Sequence, residues 1–121
     1  MKIRIKDDTV RFRLSEPEVN RLAGGNPVKS QTHFPGNILQ VEILPAVTTD
    51  IHFANNTILL KLAKDLVADW AGTDRVSIKT DMVGSNDRTL SVLIEKDFKC
   101  LTRDPEEEKD LYPNPNTHHN C

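Results

Sequence analysis

The segment Asp7 to Val28, DDTVRFRLSEPEVNRLAGGNPV, and the segment Asn55 to Val76, NNTILLKLAKDLVADWAGTDRV, can be written one above the other without a gap. Their matching residues fall on the apolar or structural positions of each element: Thr9 with Thr57, Leu14 with Leu62, Val19 with Val67, Ala23 with Ala71, Gly24 with Gly72, and Val28 with Val76. Because these matches occur in order along both segments, we interpret them as an internal duplication, with halves at residues 1–46 and 49–98.

The first half begins with the pattern of a β-hairpin that has one buried face. Apolar residues alternate with charged or polar ones, and the pair Asp7-Asp8 stands between the two runs as a turn: Ile3 and Ile5 precede it, and Val10, Phe12 and Leu14 follow. The corresponding residues of the second half are Ile51 and Phe53, with Asn55-Asn56 as the turn.

A helix follows each hairpin. Ser15 and Glu18 form a capping-box signature, which predicts a helix over Glu16 to Ala23 that ends at Gly24-Gly25. In the second half, the spacing of Leu66, Val67 and Trp70 predicts an amphipathic helix from Ala63 to Ala71, with Trp70 buried beside Leu66. Two further strands are predicted in each half, at 28–34 and 38–44 and at 76–83 and 90–98.

The predicted class is therefore α+β and mostly β, with a β-β-α-β-β unit present twice. Two such units can bury their apolar faces against each other about a pseudo-twofold axis, which gives a barrel or barrel-like sheet with two short helices. An open α+β sheet with two packed helices is the alternative. A single domain over residues 1–103 and an acidic, proline-rich tail over residues 104–121 complete the prediction.

A local resemblance supports the barrel. The stretch TILLKLAKDLVADWAGTDRVSI, residues 57–78, resembles the strand-helix-strand element of cradle-loop barrels, which include the double-psi barrels and the AbrB-type DNA-binding domains. Asp74, Val76 and Ile78 fill the D-x-V-x-I pattern of that element, although Thr73-Asp74 stands where Gly-Asp is usual. The resemblance implies a nucleic-acid-binding function as one alternative.

A second resemblance covers nearly the whole chain. The opening MKIRIK, the pair His33-Phe34 and the end from LIEKDFKCL to YPNP resemble a family of short bacterial proteins with no assigned activity. This resemblance implies no catalytic residues. It does imply that Pro115 lies near the usual end of the family, so that NTHHNC is an extension of this chain.

Composition narrows the class of protein. The chain has 121 residues with a formal net charge of −2, which argues against strong nonspecific binding to nucleic acid. Two cysteines are too few for a disulfide framework, and the charged opening does not match a signal peptide. No stretch has the length and apolar character of a membrane span. We therefore expect a cytoplasmic protein that makes no membrane contact.

The first hairpin carries the candidate residues for binding an anion or a partner. Strand alternation predicts that its five cations share the face opposite the core: Lys2, Arg4, Lys6, Arg11 and Arg13. Like charges on paired strands repel each other, so this face favours anions. Those anions could belong to DNA or RNA, to a small ligand, or to the protein itself. The alternative is a solvated face that Glu42 and the tail neutralise.

Three further candidate sites each have a simpler interpretation. Cys100 lies near Lys96, Lys99 and Arg103, which favour a thiolate nucleophile, but no general base is evident and a packed cysteine is more common. Cys100, His118, His119 and Cys121 could bind zinc, yet adjacent histidines tend to diverge, so no metal or cofactor is expected. His33 and Phe34 could line a pocket at the barrel mouth; alternatively, Phe34 caps the core and His33 is a surface residue.

These observations favour a small cytosolic, non-enzymatic binding or adaptor module whose partner is an unknown protein or an anion. The alternatives are an AbrB-like barrel that binds nucleic acid through the first hairpin, and a thiol-dependent enzyme that uses Cys100. The tail has five acids within seven residues: Asp104, Glu106, Glu107, Glu108 and Asp110. We expect it to dock across the cationic first hairpin, with Leu111 and Tyr112 as apolar anchors.

Overall fold

The strands of residues 1–98, the part of the chain that the computed structural model describes, lie in two four-stranded sheets. The first sheet has the order β1 (Lys2–Lys6), β2 (Thr9–Leu14), β8 (Thr89–Lys96), β7 (Ser77–Val83). The second sheet has the order β3 (Val28–Phe34), β4 (Asn37–Ala46), β6 (Thr57–Ala63), β5 (Asp50–Ala54). The predicted class, α+β and mostly β, is confirmed.

Each sheet combines two hairpins, which are distant in the chain in the first sheet and consecutive in the second. Antiparallel pairing joins β1 to β2, β3 to β4, β5 to β6 and β7 to β8, whereas the central pairs β2–β8 and β4–β6 are parallel. Both sheets therefore contain one hairpin from residues 1–46 and one from residues 49–98. Pairing among the described strands leaves the sheets separate and does not close them into a barrel.

The first helix, α1 (Glu16–Ala23), has the predicted bounds, because the residues that cap it are its immediate neighbours in the sequence. The Oγ atom of Ser15 accepts a hydrogen bond from the Glu18 amide at 3.4 Å, and the Glu18 carboxylate accepts one from the Ser15 amide at 2.9 Å. This reciprocal pair satisfies two backbone donors that the first turn of a helix leaves open. At the other end, Gly25 has a φ of +86°, which glycine adopts without steric cost.

The second helix, α2 (Lys64–Gly72), lies one residue later than predicted. Its N-cap residue, Ala63, has no capping side chain of its own, and its amide instead donates a hydrogen bond to Thr49 Oγ1 at 3.0 Å. Trp70 is fully buried in the same apolar cluster against which Leu66 packs, so the prediction for Trp70 is confirmed.

The core is a single apolar cluster to which both sheets and both helices contribute. On β2, Val10, Phe12 and Leu14 are buried, as the alternation predicts. The prediction for Ile5 is wrong, because this side chain is 58% exposed. Its strand lies at the edge of the first sheet, where no other strand of residues 1–98 covers it.

Two details of the predicted repeat also differ from the structure. Val28 is buried opposite Ile43, and the residue with the equivalent place in the first sheet is Ile78, buried opposite Ile94. The sequence match of Val28 with Val76 therefore has no structural counterpart, since Val76 is exposed. The connection from Leu62 to Ile78 is two residues longer than the one from Leu14 to Val28.

The last strand was predicted to reach Phe98, but β8 ends at Lys96. Lys96 pairs with Leu14, which is the last residue of β2 before the capping residue of α1. A strand needs a neighbour for its backbone groups, and β2 offers none beyond this point. The domain boundary predicted at residue 103 lies outside the described residues.

Candidate functional site

The five cations of the first hairpin lie together, as the sequence predicts. The strand register places Lys2 opposite Arg13, Arg4 opposite Arg11, and Lys6 opposite Thr9. These residues alternate with the core-facing positions of β1 and β2, so the cations share the outer face of the first sheet. We call these five residues the cationic face.

Acidic residues at the end of β8 neutralise part of the cationic face. Glu95 Oε1 lies 2.6 Å from Arg13 Nε and 3.7 Å from Arg11 Nε. Beyond the strand, Asp97 Oδ2 lies 2.8 Å from Lys2 Nζ. The expectation that Glu42 balances this face is wrong, because Glu42 belongs to the second sheet and lies 4.0 Å from Lys29 Nζ.

Arg4 and Lys6 differ from the other three cations. Both are exposed on β1, and no ion pair within residues 1–98 engages either of them. The cationic face thus presents its least neutralised charges along the edge of the sheet. Such a row can bind an anionic group, but it is a small footprint for a nucleic acid, whose affinity grows with the number of phosphates neutralised.

The pocket candidates His33 and Phe34 lie at the exposed end of the β3–β4 hairpin. Phe34 is 55% exposed, so the interpretation that it caps the core is wrong. Residues 31–38, which include the Pro35-Gly36 turn, are all exposed. A depression of about 550 Å³ beside it is lined by other residues, including Gln31, Asn37 and Asn56.

The remaining sequence candidates lie outside the described residues. These are the possible nucleophile Cys100, the possible zinc ligands His118, His119 and Cys121, and the acidic segment 104–110. Within residues 1–98, no group of three or more histidine, cysteine or acidic side chains is placed to hold a metal ion.

A cleft that the sequence did not indicate lies between the two sheets. It has a volume of about 750 Å³ and is bordered by β5 of the second sheet and by the β7–β8 hairpin of the first. Its apolar lining consists of Ile51, Phe53, Met82, Val83 and Leu90. We call it the inter-sheet cleft.

Two side chains make this cleft unusual for a protein surface. Phe53 is 73% exposed and Val83 is 82% exposed, and both belong to edge strands. Large apolar side chains that are exposed together, next to polar groups, are typical of interaction sites. Phe53 was expected to face the core, and strand alternation alone could not show otherwise, because it gives the face of a residue but not the edge position of its strand.

The polar lining of the inter-sheet cleft includes one ion pair and one histidine–carboxylate contact. Arg88 Nε lies 2.6 Å from Asp8 Oδ2, and His52 Nε2 lies 2.7 Å from Asp50 Oδ2. The other carboxylate oxygen of Asp50 accepts a hydrogen bond from the Ile51 amide at 2.9 Å. These contacts fix the orientation of the acids, so the cleft offers an apolar floor with oriented polar groups around it.

One carboxyl group outside these sites has a perturbed pKa. Partial burial by itself raises the pKa of Glu18, but hydrogen bonds from the N-terminal ammonium group and from Ser15 outweigh it and hold this pKa below its ordinary value. The ammonium nitrogen of Met1 lies 2.7 Å from Glu18 Oε2. Glu18 is therefore a structural group that joins α1 to the start of β1.

Comparison with known proteins places the chain in a family. The model of a family of unknown function, DUF7009, matches residues 1–116. The chain belongs to this family. The match ends one residue after Pro115, which the sequence resemblance places near the usual end of such chains. No curated protein and no solved structure matches the chain.

The function of DUF7009 must therefore be argued from the site itself. Neither helix in the described part of this DUF7009 chain has the length and apolar character needed to span a membrane. Within the same residues, every buried polar side-chain atom has a hydrogen-bond partner. The described core thus contains no unpaired polar group that would indicate a ligand inside it, and the candidate sites are the cationic face and the inter-sheet cleft.

Proposed function

We propose that this DUF7009 chain is a small cytosolic, non-enzymatic binding module that receives an extended segment of a partner protein in the inter-sheet cleft. The observation that carries the proposal is the exposure of Phe53 and Val83 on two edge strands that border one cleft. The cleft volume of about 750 Å³ lies within the range of roughly 300 to 1,000 Å³ typical of ligand pockets.

Edge strands provide the backbone part of recognition. Among the described strands, β5 pairs only with β6, and β7 pairs only with β8. Each therefore has a row of amide and carbonyl groups with no strand opposite, and an added strand can pair with such a row. An extended peptide also places alternate side chains on alternate faces, so every second residue can contact Phe53 or Val83.

The charged and polar groups at the cleft supply specificity. A partner with an acidic residue can contact Arg88, and a partner with a basic residue can contact Asp50. Because each of these groups already has an intramolecular partner, a new charge gains only part of a full ion pair. The apolar contacts of Phe53 and Val83 are therefore expected to provide most of the affinity, with polar groups fixing the register of the bound strand.

The duplication and the barrel-like arrangement are part of the same proposal. The two sheets have equivalent strand orders, β1-β2-β8-β7 in the first and, read from its other edge, β5-β6-β4-β3 in the second. In this comparison β1 corresponds to β5, β2 to β6, β8 to β4, and β7 to β3. Equivalent parallel pairs, β2–β8 and β4–β6, occupy the two sheet centres. We infer two copies of one unit that exchange hairpins, with the inter-sheet cleft at one of the two places where edges of different sheets can approach.

Nucleic-acid binding is the second candidate, and the observation that favours it is the exposed row of Arg4 and Lys6. It ranks lower because Glu95 and Asp97 neutralise part of the cationic face. Affinity for a DNA oligonucleotide that falls steeply with salt, and that is lost in the Arg4→Gln and Lys6→Gln double variant, would favour this candidate. The thiol-enzyme hypothesis depends on Cys100, outside the described residues.

The cleft proposal is tested with peptides selected from a displayed random library on the full chain. We expect selected peptides to shift the backbone amide resonances of β5 and β7, and their affinity to fall at least about tenfold in Val83→Lys, because a charge would replace an apolar contact. Val47→Lys is the matched control, since Val47 is 88% exposed in the β4–β5 loop, outside the cleft lining. Peptides that shift other strands, or that bind both variants equally, would overturn the proposal.

A further inference from the structure

We propose that the acidic segment of this same chain, residues 104–110, docks along β1 and occupies the exposed row formed by Arg4 and Lys6. The inference concerns the cationic face and does not depend on the inter-sheet cleft. β1 and β7 are opposite edges of the first sheet, and neither Arg4 nor Lys6 lines the cleft. Three features identify the occupant: the position at which the described chain ends, the distance that the following residues can span, and the charge of residues 104–110.

The described chain passes one end of the row just before it ends. The Asp97 amide donates a hydrogen bond to the Leu14 carbonyl at 2.9 Å, and the Asp97 carboxylate lies 2.8 Å from Lys2 Nζ. Lys2 is the first residue of β1, and Arg4 and Lys6 follow it at intervals of two along the same face. The last described residue, Phe98, follows Asp97 and lines a depression together with Glu16 and Asn20 of α1. The segment beyond Phe98 therefore starts a short distance from Lys2 and has to turn toward β1 to lie along the row.

The connecting length is sufficient. From Lys2 to Lys6 the strand extends about 14 Å, at roughly 3.4 Å per residue. From Asp97 to Asp104 an extended chain covers up to about 23 Å, at roughly 3.3 Å per residue. The first acid can thus lie beside any residue of β1, and the later acids, which follow within six residues, need not extend far beyond it.

Charge complementarity identifies the segment. Residues 104–110 contain five acids and one base, Lys109, whereas the edge row contains Arg4 and Lys6 with no ion pair inside the described chain. A single exposed ion pair contributes roughly 0 to 1 kcal/mol, so free acidic peptide would bind weakly. Tethering changes this balance, because a linker of a few residues raises the effective concentration of the acids to the millimolar range.

Docking of this kind would shield Arg4 and Lys6 from other anions. Polyanions would compete with the intramolecular segment for Arg4 and Lys6, and the competition would weaken their binding to the full chain. Salt would weaken the docking, because the charges are exposed and their interaction decays over a Debye length of about 8 Å at physiological ionic strength. The cationic face would then bind external anions chiefly when the segment is displaced.

The test uses the full-length chain with its five acids at 104–110 changed to Asn or Gln, so that chain length is preserved. Heparin is the probe. At low salt we expect this neutralised chain to bind heparin at least about tenfold more tightly than the unmodified chain, with the difference shrinking as salt rises. We also expect amide resonances of β1 to differ between the two chains.

Two further variants localise the effect. In the neutralised background, Arg4→Gln with Lys6→Gln should abolish the gain, whereas Lys64→Gln with Lys79→Gln, which removes the same charge from exposed sites outside β1, should retain most of it. No gain in heparin affinity, or a gain that survives loss of Arg4 and Lys6, would overturn the proposal. A full chain that sediments as a dimer and becomes monomeric on neutralisation would assign the segment to a second copy and also overturn it.

Discussion

The indole Nε1 of Trp70 donates a hydrogen bond to the backbone carbonyl of Val76 at 2.9 Å. This contact joins the last turn of α2 to the residue that precedes β7, across the connection 73–76. The ring itself is fully buried. One side chain thus fills the core and also fixes the path by which the chain leaves the helix.

Replacing Trp70 with Phe should lower the free energy of unfolding by about 2 kcal/mol, because it removes this hydrogen bond and leaves a small cavity. Urea titration followed by circular dichroism measures the change. Phe53→Leu is the control, since Phe53 is largely exposed and its loss should change stability little. In the unmodified chain, Trp70 should also show blue-shifted fluorescence that acrylamide quenches poorly; red-shifted, readily quenched emission would contradict its burial.

Removing the N-cap of α1 should have a measurable effect of its own. Ser15→Ala deletes the hydroxyl that accepts a hydrogen bond from the Glu18 amide, and it should destabilise the protein by about 1 kcal/mol. Ser85→Ala is a matched control, because the Ser85 hydroxyl makes no hydrogen bond within residues 1–98. Equal unfolding midpoints for the two variants would show that the capping box adds little to stability.

The lowered pKa of Glu18 predicts a dependence of stability on pH. A carboxyl group whose pKa is lower in the folded state stabilises the protein at pH values above its unfolded pKa. That contribution is lost as the pH falls through the folded pKa, when the carboxylate takes up a proton. Glu18→Gln should therefore be less stable than the unmodified chain at pH 7, and the difference should shrink by pH 3.

Glu16→Gln serves as the control for this measurement, since Glu16 lies in the same turn but is exposed and makes no ion pair with the described residues. Urea unfolding of all three chains at both pH values gives the comparison. A stability gap for Glu18→Gln that stays constant from pH 7 to pH 3 would mean that the group acts through packing instead of through its charge.

The parts of the fold that the sequence predicted well are encoded by residues close together in the chain. Ser15, Glu18 and Gly24 give the bounds of α1, and the pair Asn55-Asn56 forms a turn in which both residues have positive φ. Asparagine adopts this conformation more readily than most residues, so a two-residue hairpin turn could be expected there. Local stereochemistry was sufficient in each case.

The parts that were predicted poorly depend on which strands become neighbours. Alternation placed Ile5 and Phe53 on core-facing positions, but their strands lie at sheet edges, and both side chains are exposed. Glu95 became the partner of Arg13 through the parallel pairing of β2 with β8, which joins segments about 80 residues apart. The inter-sheet cleft has the same origin, because its walls come from different sheets.

The exchange of hairpins between the two halves predicts how the chain responds to cutting between β4 and β5, where Val47 and Thr48 are exposed. Fragments 1–48 and 49–121 would each retain one hairpin of each sheet and lose both central parallel pairs, β2–β8 and β4–β6. Each fragment would then expose core residues from two unpaired hairpins, so neither should unfold cooperatively as a monomer.

Mixing the two fragments should restore a one-to-one complex in which the fluorescence of Trp70 is again blue-shifted. Size-exclusion chromatography with fluorescence detection measures both properties, and a monomeric fragment 49–121 with a cooperative transition and a buried Trp70 would contradict this interlaced arrangement.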